Sequence, residues 1–209
     1  MDLKSALSEV EAYLTAHFES IPYSTHHQDH VYRVREMCRY LGGRYNADND
    51  ILEIAAMLHD IGRAFPQCSD HALRSAEMTE TLLRDLKVEQ FSIHLVTEAI
   101  RCHSYSKGRV PVSLEGRILQ DADRLDALGA IGIIRVISHD NKIPLYDMND
   151  PFAERRSLGK SPLDHFYQKI VHLKNGFHTP EAQKPALKRH RFVLAFLDQL
   201  KQEIFLIAG

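Results

Sequence analysis

The sequence predicts an all-α protein, and three observations predict it. Apolar residues recur at threes and fours through most of the chain. No stretch alternates apolar and polar residues for long enough to make a strand. The periodic stretches are punctuated by Gly, Pro and Asp-containing breaks, with no internal repeat and no low-complexity tract.

Leu3, Leu7, Val10, Leu14 and Phe18 form the stripe of a first helix, which Ile21-Pro22 ends. DHVYRVREMCRYLGG repeats the pattern with Val31, Val34, Cys38 and Leu41, and Gly42-Gly43 provides its stop. Asn49 or Asp48 caps a third helix, Ile51 to His59. Asp70 caps a fourth over HALRSAEMTETLLRDL, with Ala72, Ala76, Thr79, Leu83 and Leu86 facing inward. FSIHLVTEAIRCH is a fifth helix, and SYSKGRVPVS is a loop by its Gly, Pro and Ser content.

A sixth helix is predicted to run on from about Leu114 through LEGRILQDADRLDALGAIGIIRVIS, its Gly129 and Gly132 admitting a close neighbouring backbone. His139 to Pro162 is a long irregular excursion of the kind that is functional or mobile in compact domains. LDHFYQKIVHLKN and a long helix from about Thr179 to Ile207, tolerating Pro185 near its start, complete the chain. One globular multi-helix bundle is expected. Residues 1–22 pack a helix on the core, 23–138 form that core, and 139–209 supply a loop and a C-terminal helical extension of the same domain.

A net charge of −2 over evenly mixed acids and bases argues against a nucleic-acid scaffold or an anionic-membrane binder. No stretch reaches the ~20 apolar residues of a membrane span. The N-terminus resembles no targeting segment. Cys38, Cys68 and Cys102 are odd in number and form no CxxC pair, which fits a reducing cytoplasm rather than a disulfide framework. Thirteen scattered histidines are the compositional oddity, and they raise the expectation of ligand or acid–base duty.

In MLHDIG, His59 and Asp60 follow directly on an apolar helix. Polar groups there are costly unless satisfied, and a divalent ion would satisfy both. The plainer alternative is a helix end where His59 meets the dipole and Asp60 is solvated. Upstream, His30 and Arg33 share one face of the second helix; downstream, QDADRLDAL carries Asp121, Asp123 and Asp126, of which Asp123 and Asp126 share a face. Ion pairing with Arg117 or Arg124 is the alternative for these aspartates. The order is the informative part. A lone histidine, a His-Asp pair and a later aspartate let three helices aim four side chains into one bundle interior.

This ordered set, His30, His59-Asp60 and Asp123, resembles the H…HD…D pattern of the HD-domain superfamily of metal-dependent phosphohydrolases. HSYSKG, LEGRILQDADRLDALGAIGI and DHFYQKIVHLK bring the resemblance closer to the small bacterial members, over roughly Asp29 to Leu200. It implies an all-helical domain with one divalent ion (Mn, Mg, Fe, Co or Ni) on His30, His59, Asp60 and Asp123. A second ion would fall to His71 and His103. An ion so held lowers the pKa of a water and polarises a phosphoryl oxygen. The substrate implied is a small-molecule nucleotide, with some members cleaving nucleoside or deoxynucleoside triphosphates.

Several nucleotide-cleaving members carry a glutamate soon after the His-Asp pair, where this chain has Arg63, a poor base but a good phosphate partner. Asp60 and His103 are then expected at the reacting centre, and Asp126 becomes the candidate for proton transfer. Arg33, Arg63, Lys107 and Lys169 are the candidate phosphate contacts. The remaining histidines, His26 among them, read as structural. Alternatives within this frame are a phosphodiesterase and a non-catalytic nucleotide-binding module, each as a monomer or homodimer.

Overall fold

The computed structural model describes residues 1–65, 67–139, 143–152 and 161–206. Among them there are helices and turns but no strand, so the all-α expectation holds. The chain divides into two compact units, Met1–Asp123 and Arg124–Gly209.

The first unit is built around α3 (Asn49–Leu58), which packs on α1 (Leu3–Glu19), α2 (Gln28–Tyr45) and α5 (Gln90–Cys102). Its sequence is apolar nearly all round, and Ile51, Leu52, Ile54, Ala55, Ala56, Met57 and Leu58 are all buried. A helix of that pattern belongs at the centre of a core. Each large apolar side chain buried there contributes about 1.5–3 kcal/mol. Asp48 is the cap, accepting from the Asp50 and Ile51 amides at 3.0 and 3.2 Å. α4 (His71–Asp85) packs on α5 and on a 3₁₀ turn, Ile61–Ala64, and Asp70 caps it through the Leu73 amide at 3.1 Å.

The Gly42-Gly43 stop is not where α2 ends. The helix continues to Tyr45 and closes at Asn46, which adopts φ 53°. Gly42 serves packing instead: a Cβ there would lie 2.6 Å from Leu52 Cδ1. The glycine lets α2 and α3 approach closely, at the usual cost of about 1 kcal/mol of helix propensity.

The expected sixth helix is two. α6 (Leu114–Asp126) stops and α7 (Gly129–Ser138) restarts, with Leu128 extended and Gly129 at φ 76°. That left-handed backbone is what glycine permits. A Cβ on Gly132 would collide with the Ala127 carbonyl, so the second glycine makes room for the break. In the second unit the Leu125 carbonyl accepts from the Leu128 amide at 3.2 Å and also from Arg189 Nη1 at 2.5 Å, so the group at the break has two donors.

LDHFYQKIVHLKN is likewise interrupted. α8 (Pro162–Gln168) has a Ser161/Asp164 capping box, and a 3₁₀ turn, Ile170–Asn175, follows across Lys169. α8 packs on α7, and the 3₁₀ turn packs on α9 (Pro180–Leu206). Residues 143–152 of the expected excursion are irregular; 140–142 and 153–160 lie outside the described residues, as does the predicted helix end at Ile207. No helix among the described residues is long and apolar enough to cross a membrane.

Candidate metal centre

Two helices of the first unit end in the same way. His59 closes α3 and His103 closes α5. Each ring turns back so that Nδ1 lies 2.7 Å from the carbonyl oxygen three residues earlier, Ala56 for His59 and Ile100 for His103. A ring nitrogen that close to a carbonyl is the protonated one, so Nε2 of both rings carries its lone pair inward. The rings are T-shaped at 5.0 Å, and both residues are buried.

Asp60 follows α3 at φ −113°, ψ 6°, the sparsely populated bridge region where site residues often sit. Its side chain is 1% exposed. Oδ2 lies 3.5 Å from His30 Nε2 and 3.6 Å from His59 Nε2. His30 Nε2 in turn lies 3.2 Å from His59 Nε2 and 3.5 Å from Asp123 Oδ1. α2, α3 and α6 thus deliver the four predicted ligands to one place.

The donor set fits a divalent first-row ion. Bonds of about 2.0–2.2 Å place neighbouring ligand atoms roughly 3 Å apart, close to the spacing here. The protonation states fit as well. Burial pushes His59 down to about 4 despite the Asp60 carboxylate, so the ring is neutral. Burial alone would raise Asp60 and Asp123. Arg63, His59 and His26 around Asp60, and the imidazoles around Asp123, outweigh it and hold both carboxyls well below their usual range. A neutral His59 imidazole beside two ionised carboxylates is a donor set suited to a divalent cation.

Asp60 has further neighbours. His26 Nδ1 sits 2.6 Å from Oδ2. On the other side of the carboxylate, Oδ1 faces His103 Nε2 at 3.4 Å, His71 Nε2 at 3.5 Å and Arg63 Nε at 2.8 Å. Burial pushes His71 to about 4. His26, expected to be structural, precedes α2, whose first residue is Gln28, and so lies outside any helical spacing. The HxxxH separation from His30 was the one signal that marked it.

The predicted phosphate contacts fare unevenly. Arg63 adjoins Asp60, and its side chain is 36% exposed. Arg33 pairs with Asp29 at 2.7 Å. Lys107 Nζ donates to the Ser69 carbonyl at 2.8 Å, tying its loop to the start of α4. Lys169 lies in the second unit, between α8 and the following 3₁₀ turn. Asp126 is also in that unit, buried, with Oδ2 2.8 Å from Arg135 Nη1.

Comparison with known proteins agrees with this geometry. The family model for the HD domain matches residues 28–128. The YpgQ protein of Bacillus subtilis is 31% identical over 188 residues, 87% of this chain and 85% of that protein. Its crystal structure in complex with ADP superposes with a TM-score of 0.73 at 28% identity, covering 97% of each chain. An HD-superfamily hydrolase from Bacillus thuringiensis gives a TM-score of 0.73 at 30% identity, over 96% of this chain and 97% of that one. With its His-Asp pair buried among the other donors of the pattern and these relatives spanning nearly its whole length, the chain belongs to the HD-domain superfamily of hydrolases.

Proposed function

We propose that this hydrolase cleaves a phosphate bond of a small-molecule nucleotide, using one divalent ion held by His30, His59, Asp60 and Asp123. The metal part of this reading is supported by the buried His30 Nε2, which lies 3.2 Å from His59 Nε2 and 3.5 Å from a carboxylate oxygen of both Asp60 and Asp123. The nucleotide part is supported by ADP in the complex of the YpgQ relative. When bound, the ion supplies Lewis acidity to a phosphoryl oxygen and acidifies water.

The chain's own residues supply the rest. His26 holds the Asp60 carboxylate by Oδ2. Arg63 is the best placed of the cations to meet phosphate oxygens, since its partly exposed guanidinium reaches the buried carboxylate. Lys107 steadies the loop that follows His103. Asp126 enters as a carboxylate committed to Arg135. Within this class the reading favours a deoxynucleoside or nucleoside triphosphate cleaved to monophosphate and pyrophosphate.

The test is a panel of nucleotides against Mn²⁺, Mg²⁺, Co²⁺ and Ni²⁺, with products separated by chromatography. dATP should give dAMP and pyrophosphate. Stepwise release of orthophosphate would replace the pyrophosphohydrolase reading with a phosphatase one. Turnover of bis-p-nitrophenyl phosphate with triphosphates untouched would move the assignment to a phosphodiesterase.

A further inference from the structure

The Asp60 carboxylate is shared between two sets of partners. Oδ2 serves His26, His30 and His59, the side of the ion proposed above. Oδ1 is turned toward His103 Nε2 at 3.4 Å and His71 Nε2 at 3.5 Å. It is buried and makes no hydrogen bond, although Arg63 Nε stands 2.8 Å away outside hydrogen-bond alignment. A carboxylate presenting one oxygen to three imidazoles and the other to two could bridge two cations. His103 Nε2, its lone pair set by the Ile100 tether, and Asp60 Oδ1 are good donors for the second.

A cation already stands there. The Arg63 guanidinium lies beside Oδ1 through Nε, and its Nη2 is 2.9 Å from His71 Nε2. Arginine keeps its charge at any pH a protein survives, so the donated N–H makes His71 Nε2 the acceptor and occupies its lone pair. A metal needs that same lone pair, and would sit within a few ångströms of a fixed positive charge. We infer that Arg63 takes the place of a second metal ion and makes this a one-ion centre. Arg63 is supplied by the chain itself, directly after the His-Asp pair, so the choice is independent of metal supply.

The inference rests on the reading of the first ion, and metal counting separates the two. The protein is equilibrated by dialysis with excess Mn²⁺, its metal content measured by inductively coupled plasma mass spectrometry and its spin state by electron paramagnetic resonance. The wild type should hold one uncoupled Mn²⁺ per chain. Arg63→Ala, and Arg63→Met, which keeps an aliphatic stem for packing, should each hold two with an exchange-coupled signal. Adding His71→Ala to Arg63→Ala should return the count to one. Two ions in the wild type, or one in both folded Arg63 variants, would overturn the inference while leaving the first site standing. Two in the double variant would overturn it as well, by removing His71 from the second site. No ion in the wild type would overturn both.

Discussion

Gly62→Ala is expected to destabilise the protein by about 1–3 kcal/mol and to loosen the metal centre with it. Gly62 sits two residues after Asp60, in the 3₁₀ turn pressed against α4, and its amide donates to Ser75 Oγ at 2.9 Å. A Cβ added there would lie 2.5 Å from the His71 carbonyl oxygen and 2.7 Å from the Ser75 amide nitrogen. Ordinary contact begins near 3.4 Å, so the turn and α4 must separate by about 0.9 Å. Both neighbours are backbone, and no rotamer change relieves them. Because Asp60 and His71 ride on the two surfaces forced apart, the shift is passed to the donors. Misplacement by about 1 Å at a reacting centre costs up to ~100-fold in rate. Urea denaturation by circular dichroism reads the stability, and Mn²⁺ titration by calorimetry reads the centre. A variant within 0.5 kcal/mol of wild type with unchanged Mn²⁺ affinity would show that this contact does not position the site.

His26→Ala should weaken Mn²⁺ binding about 10–100-fold, as expected for a partner that orients a ligating carboxylate; equal affinities by calorimetry would return His26 to a structural role. Saturating Mn²⁺ should stabilise the wild type by about 2.7 kcal/mol at 100 times the dissociation constant, a rise in melting temperature that His59→Ala and Asp123→Asn abolish; a metal-dependent rise in either variant would remove that residue from the ligand set. Glu53→Gln should cost about 1–2 kcal/mol at pH 7, since Glu53 joins Arg39 and Arg35 across α2 and α3. The Arg39 and Arg35 hydrogen bonds outweigh burial and depress the Glu53 pKa. Its stabilisation is therefore full above the unfolded carboxylate value of about 4.3 and is lost as pH falls through the folded one. The gap between wild type and variant in urea melts should accordingly close below about pH 4; a gap constant from pH 7 to 3 would refute the pairing.

The ligand pattern was legible because it rests on residue types in order along helices, which apolar spacing places well. His30, His59, Asp60 and Asp123 come from elements whose existence the sequence announces. What stayed hidden depends on contacts between distant residues. Gly42-Gly43 looks like a helix end in isolation, yet Leu52, ten residues beyond Gly42, gives the glycine its use. The break after Asp126 falls inside an apolar run that periodicity reads as continuous, and only the left-handed Gly129 and the crowded Ala127 carbonyl reveal it. His26 belongs to no periodic segment at all, and its meeting with Asp60 across 34 positions needed the fold.

The ring-to-carbonyl tethers of His59 and His103 bind architecture and chemistry into single atoms. One proton on each Nδ1 finishes a helix and, by its position, decides which face of the ring is left to attract a guest. A lesion at either histidine is therefore never a lesion of chemistry alone. The helix end loses its tether together with the nitrogen that faces the guest.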